Sequence, residues 1–269
     1  MKSFAAPPRS RVLTPFIKSF HYHETDFPFA LERIMPNGQV HLMVNLEEDE
    51  FRTYEGPGAK YRRRHSGAVV AGPHAKDVVI DRGEQRCLAA VEFHSGGAAA
   101  FFSVPMSAVR DEVVSIEDVW GRGGKSLRER LIEAGTPTRK FRVLEEVLSE
   151  HFAPKFDPAI QYGIAALRAG MPLSRVVSRL GFLPRTFARR FSAQVGINPK
   201  RFARVQRLQR VLRAVRMSRR LDWAALAAEH GYTDQAHLIH DFRDLAGITP
   251  SEYVPHSPQR NNHVPLPLA

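Results

Sequence analysis

Gly181-Phe182-Leu183-Pro184-Arg185-Thr186-Phe187 and Gly231-Tyr232-Thr233-Asp234-Gln235-Ala236-His237-Leu238 open two copies of one pattern. The first copy continues through Phe191, Gly196, Asn198-Pro199 and Phe202. The second continues through Phe242, Gly247, Thr249-Pro250 and Tyr253. The Gly-aromatic pairs are 50 residues apart and every later landmark is 51 apart, so the second copy holds one extra residue before its longer helix. Eight matches in the same order are more than chance supplies, and an internal repeat fixes the architecture before any local reading does. In each copy an apolar stripe at helical spacing (Val176, Val177 and Leu180; Leu226 and Ala227) runs into a glycine. Glycine tolerates the positive φ of a tight turn. A second helix follows, with Phe187/Phe191 or Leu238/Phe242 on one face at i,i+4. Gly196 and Gly247 stop it, and Asn198-Pro199 and Thr249-Pro250 start the next helix. Helix, glycine turn, helix is the helix-turn-helix unit, whose second helix enters the DNA major groove.

Outward from the repeat, charge divides the chain. Residues 157–254 hold 16 Lys and Arg against 7 Asp and Glu; residues 1–156 hold 22 against 21. Between Asp157 and Asp222 there is no acidic residue. A basic half joined to a neutral half predicts a nucleic-acid-binding domain with a partner domain of another role. No apolar run reaches the roughly 18 residues that cross a bilayer, so no membrane partner is expected. The single cysteine, Cys87, rules out an internal disulfide framework and fits a reducing cytoplasm, where a DNA-binding protein is expected to be nucleoid-associated.

The front half reads as α+β. Residues 1–12 read as loose. Strand patterns fall around Ile17–Tyr22, Val40–Leu46, Ala68–Ala71, Val78–Ile80 and Leu88–Phe93, and a small barrel is one arrangement they would fit. Gly96-Gly97 opens an Ala- and Phe-rich helical segment ended by Pro105, and amphipathic helices are expected over 127–134 and 141–152. The fold class is therefore two domains: an α+β N-terminal domain at 1–155 and an all-α domain at 156–254, in which a long helix joins two helix-turn-helix units. A disordered tail is expected at 255–269.

These residues carry a resemblance. The stretch from about 157 to 254 resembles the DNA-binding domain of AraC/XylS-type transcription regulators. The signature of that family's second unit is matched by Ala227, Gly231-Tyr232, Asp234-Gln235, His237-Leu238, Phe242-Arg243, Gly247, Thr249-Pro250 and Tyr253. Landmarks of the front half (Pro36-Asn37-Gly38, Asn45, Gly72-Pro73-His74, Phe93, Gly96-Gly97-Ala98, Pro105, Asp118-Val119-Trp120-Gly121) resemble an uncharacterised N-terminal domain found on some of these regulators. That second likeness implies no ligand.

Arg185 and Arg189 stand at i,i+4 on the helix face opposite Phe187/Phe191. Each can grip guanine O6 and N7 with paired donors, a contact contributing about 1–3 kcal/mol of discrimination. The resemblance places base reading on Arg185, Ala188 and Arg189, with Ala188 offering an apolar contact. In the second unit the corresponding face carries Gln235, Ala236, His237, Ile239 and His240, and Gln235 suits adenine. Thr186, Arg190 and Arg243 are expected on phosphate. Asp241 and Asp244 are expected to leave the second recognition helix electrostatically poorer than the first, and Leu183 stands where a Ser or Thr would cap the first. Arginines at every third position from Arg201 to Arg219 drift around the joining helix, and most read as solvated, with several available to phosphate.

The expected partners are double-stranded DNA, a small-molecule effector at the front domain, and a second copy of the chain. No cofactor and no metal are expected. The seven front-half histidines (His21, His23, His41, His65, His74, His94 and His151) and Cys87 keep a metal-dependent or methyl-accepting DNA-targeted enzyme as an alternative, with a non-specific DNA-compacting protein as another. No catalytic arrangement rises above background, so the chain reads as a non-enzyme.

Overall fold

The computed structural model describes residues 2–26, 31–55, 61–154, 157–217, 222–255 and 261–266. The strands are β1 (Lys2–Ala6), β2 (Ile17–Glu24), β3 (Leu31–Ile34), β4 (His41–Asn45), β5 (Glu50–Glu55), β6 (Tyr61–Ser66), β7 (Ala68–Ala71), β8 (Val78–Asp81), β9 (Cys87–Phe93), β10 (Val113–Ser115) and β11 (His263–Pro265). They form two open antiparallel sheets. The first has six strands in the order β1-β2-β9-β4-β7-β10, and the second has five in the order β11-β3-β8-β5-β6. The barrel does not close: no ladder joins the outer strands of one sheet to each other or to the other sheet among the described residues.

Alternation decides which face is buried. Phe20, Leu42, Val44, Val91 and Phe93 point into the main core, while Ser19, His21, His41, Met43 and Glu92 lie on the other face. That core is covered by α1 (Ile116–Trp120), α3 (Leu127–Glu133) and α4 (Pro137–Glu150), with the short α2 (Arg122–Lys125) between the first two, through Ile116, Leu127, Leu131, Leu144, Val147 and Leu148. α4 begins earlier than its apolar stripe suggests. The Thr136 side chain accepts from Arg139 N, and Pro137 sits in the first turn. The Ala-rich segment is a 3₁₀ turn at Ala98–Ala100 rather than a helix. All three alanines are buried beneath the sheet, and the Trp120 indole donates to Phe101 O at 2.8 Å.

Described residues near both ends are paired where the sequence suggests loose chain. Lys2–Ala6, read as loose, pairs antiparallel with β2. In the segment expected to be a disordered tail, β11 pairs with β3, Met35 N donates to Asn262 O at 2.8 Å, and Val264 is buried. Three residues are too few for alternation to announce a strand, and the partner lies at the other end of the chain.

The C-terminal half is helical: α5 (Pro158–Arg168), α6 (Leu173–Leu180), α7 (Pro184–Val195), α8 (Pro199–Met217), α9 (Trp223–Glu229) and α10 (Gln235–Ala246). α8 is the expected joining helix, and it serves two cores. Its Phe202 packs with Phe187 and Phe191, whereas Val205, Leu208, Val211 and Leu212 pack with Leu238 and Phe242. Met35, just after β3, and Val264 of β11 enter the second of these cores. The boundary expected at Lys155-Phe156 lies outside the described residues.

The turn between β7 and β8 touches both helical units. Gly196, just after α7, faces Pro73 and Met106 O. Arg201 donates to Ala75 O at 2.9 and 3.2 Å. Asp77 N donates to Leu245 O at 2.9 Å, and Arg33, ion-paired with Asp77, donates to Ala246 O at 3.1 Å.

Candidate nucleic-acid interface

The two repeats fold alike. α6 and α7 are joined through Gly181 at φ +65°, and α9 and α10 turn through Gly231 at φ +76°. Both long helices stop at glycines of positive φ, Gly196 at +93° and Gly247 at +65°. The extra residue of the second copy gives its helix a better start. Asp234 caps α10 by accepting from His237 N at 2.7 Å. Leu183 occupies the same place before α7, makes no side-chain cap bond and is 74% exposed. We expect Asp234→Ala to cost about 1 kcal/mol and Leu183→Ser to add about as much. Urea midpoints of the two variants check this, and shifts of the same sign would refute it.

On α7, Phe187, Phe191 and Val195 are buried while Arg185 and Arg189 are exposed side by side. Neither arginine has an ion pair or hydrogen bond among the described residues. Thr186 and Ala188 are half-buried at the flank of that face. Arg190 is engaged elsewhere: it pairs with Asp157, the cap of α5, and lies over the Phe182 ring at 4.9 Å.

On α10, Gln235, Ala236, His240 and Arg243 are exposed. Ile239 and His237 are half-buried, and the His237 ring turns back toward Thr233 and meets Tyr232 edge-on at 5.2 Å. Asp241 and Asp244 do not lie on this face, which corrects the expectation that they weaken it. Asp241 is 1% exposed and bridges Arg204 at 2.6 Å and Arg207 at 3.0 Å, both on α8. Asp244 bridges Arg201 and Arg204, each at 2.7 Å. Burial pushes the Asp244 pKa up, but hydrogen bonds from those two arginines bring it below its usual range. Arg201, Arg204 and Arg207 are therefore neither solvated nor free for phosphate. They are a ladder at i,i+3 answering two aspartates at i,i+3 on the facing helix. Arg207 also stacks over Tyr232 at 4.3 Å and donates to Gly231 O at 3.0 Å, tying α8 to the second glycine turn. The matched spacing was the available signal, and counting net charge along one segment hid it.

Residues 176–255 match a family model described as a helix-turn-helix domain. The chain carries an AraC-type helix-turn-helix domain. Residues 6–115, ahead of the AraC-type domain, match a model described as a domain of unknown function (DUF6597). No curated protein matches the chain. Among solved structures, the chain is similar to ToxT from Vibrio cholerae O395 bound to (E)-4-(8-methylnaphthalen-1-yl)but-3-enoic acid. That match has 8% identity and a TM-score of 0.47, covering 88% of this chain and 98% of that one. It is also similar to unsaturated fatty acid bound wild-type ToxT from Vibrio cholerae strain SCE256, at 6% identity and a TM-score of 0.44 over 87% and 92% of the two chains. At these values the likeness is loose, and the AraC-type assignment stands on the C-terminal match and the doubled motif.

Away from the AraC-type domain, no group of three or more His, Cys, Asp or Glu is placed to hold a metal ion among the described residues. His21 bonds Ser19 Oγ at 2.7 Å and His23 bonds Gln85 O at 2.7 Å. Cys87 is half-buried, 3.7 Å from the Tyr22 hydroxyl. No described helix is long and apolar enough to cross a membrane.

His41 lies between Glu92 and Ala71 in the first sheet. Burial drives its pKa down to about 4 against the pull of Glu92, with His21, His74 and Lys18 adding to the fall. The folded state therefore holds His41 neutral. Its contribution to stability is complete above pH 6.5, its unperturbed pKa, and is lost as the pH drops from there toward 4. Denaturant titrations across that window are expected to show a shallower pH slope for His41→Gln. An unchanged slope would place His41 in water.

Proposed function

We propose that the protein is a sequence-specific transcription regulator. Its recognition helices α7 and α10 read successive major grooves on one face of a duplex, about 34 Å apart. Arg185, Ala188 and Arg189 read bases from α7, and Gln235, Ala236, His237 and His240 read from α10. Thr186, Arg190 and Arg243 hold phosphate, Arg190 after leaving Asp157. The front domain binds a small-molecule effector or a second copy of the chain and so biases how the two units sit on DNA. The observation that carries this reading is the exposed Arg185/Arg189 pair, without an ion pair among the described residues, on the second helix of a duplicated helix-turn-helix. The half that holds it has 16 basic residues against 7 acidic.

Footprinting on the DNA upstream of the protein's own gene, with random DNA as competitor at physiological salt, tests it. Two protected major-groove segments on one face are the expected result. Arg189→Ala is expected to lower the specific-to-random affinity ratio by about tenfold, within the roughly 1–3 kcal/mol of one bidentate base contact. Affinity for random DNA should change much less. Equal loss on both DNAs would remove Arg189 from base reading, and binding with no preferred site would leave charge-driven association alone.

A further inference from the structure

Open sheets end in edges, and an unprotected edge is a template for another strand. The two sheets have four edges, and three are guarded among the described residues. β6 carries Arg62, Arg63 and Arg64, all exposed. β11 is three residues long and ends in Pro265. β10 is also three residues long, runs straight into α1, and lies beside β6, with Ser66 donating to Ser115 Oγ at 3.1 Å. β1 has none of these devices. It has five residues, no proline, and one charge, Lys2, already paired with Glu24 at 3.0 Å.

We propose that a second copy of this chain docks along β1, antiparallel and about a two-fold axis at Phe4, joining two six-stranded sheets into one. The strand is self-complementary in that register. Lys2 meets the partner's Ala6, Ser3 meets the partner's Ala5, and Phe4 meets the partner's Phe4. No like charges are opposed, and the bulky residue at the centre is apolar. Phe4 is 45% exposed, a large apolar side chain at the open edge of the sheet. It lies on the α4 side of the sheet, stacked on Tyr22 with ring centroids 6.3 Å apart.

The surface beside it is self-complementary too. A cleft of about 380 Å³ separates β1 from α4, floored by Phe20 and Phe141 and rimmed by Arg142 and Glu145. Thr138, Phe141, Arg142 and Glu145 form one stripe at i, i+3, i+4 and i+7. Arg142 has no ion-pair partner among the described residues. Among the described residues the Glu145 carboxylate accepts only from Ser10 N, at 2.6 Å, which leaves capacity for a cation. Antiparallel pairing of β1 keeps both α4 helices on one side of the joined sheet. In the proposed dimer the two stripes run antiparallel across the axis, and each offers an arginine and a glutamate to the other, the self-complementary charge pattern an isologous interface can use.

This inference deepens the second-copy part of the proposed function and owes nothing to its DNA part, so the test omits DNA. Sedimentation velocity of the full chain over a concentration series is expected to show a monomer–dimer equilibrium. Phe4→Lys, which opposes two ammonium groups on the axis, should weaken it at least tenfold. Phe4 is on the surface, and an unchanged thermal melt confirms that the variant folds. The deciding arm is Phe4→Cys in a Cys87→Ser background. Directly opposed strand residues have Cα atoms about 4.5–5.5 Å apart, within disulfide reach, so mild oxidation should yield a covalent dimer. Val12→Cys in the same background, 61% exposed but off the strand, should not cross-link. A wild-type monomer at every concentration overturns the proposal. So does a dimer in which Phe4→Cys cross-links no better than Val12→Cys.

Discussion

Gly196→Ala is expected to lower the melting midpoint by roughly 6–12 °C. Two costs add. Gly196 sits at φ +93°, a conformation that a side chain resists by about 1–3 kcal/mol. A Cβ there would also lie 2.2 Å from Pro73 Cγ and 2.9 Å from Met106 O. The α7 terminus would have to leave the β7–β8 turn, and overpacking of that kind costs about 1–3 kcal/mol more. The total of about 3 kcal/mol corresponds to the quoted shift in a chain of this size. Gly181→Ala is the control. Its φ is similarly positive, +65°, but nothing lies within 4 Å of the added Cβ, so it carries the backbone cost alone. Calorimetry of the two variants separates strain from collision. Equal shifts would mean that the α7 terminus does not touch the front domain in solution.

Asp241→Ala is expected to destabilise the protein by about 3 kcal/mol, read as a fall in the urea midpoint. Asp241 is 1% exposed and takes charge-assisted hydrogen bonds from both Arg204 and Arg207. Alanine would leave the Arg207 guanidinium without a carboxylate and Arg204 with Asp244 alone, and leaving a partly buried charge unpaired costs more than the pair itself contributes. The double variant Asp241→Ala with Arg204→Ala should lose less than the sum of the singles, because each single removes the same bridge. A loss below about 1 kcal/mol would mean that the bridge is solvated like a surface pair.

The helical half was readable because its punctuation is chemical. Gly181, Gly196, Gly231 and Gly247 all adopt positive φ, and the aromatic pairs between them fill the cores. Duplication made each signal count twice. The β half was less readable. Its central strands β2, β4, β7 and β9 announced themselves by alternation or by buried runs. β8 of the second sheet was legible at Val78–Ile80, but β3, β10 and β11 were not, because they are three or four residues long and show no clean alternation. Whether such strands close into a barrel depends on long-range pairing, which local pattern does not encode. At the candidate interface, the exposed face of α7 was legible from the 3.6-residue period alone. The fate of Asp241 and Asp244 was not, since their arginine partners sit 34 to 43 residues away on another helix. The Arg190–Asp157 pair was illegible for a like reason: Asp157 lies 33 residues away and its sequence context marks it as a helix cap.

The β7–β8 turn, wedged against the ends of α7 and α10, works as a gauge block. Pro73 sets one stop and Asp77 the other, four residues apart in a single turn. On the proposed reading of DNA, the letters are chosen by side chains on the two helices. The interval between the two words is inherited from the front sheets. A displacement of that one turn reaches both readers at once, and would shift which spacing the protein accepts without changing which bases it prefers.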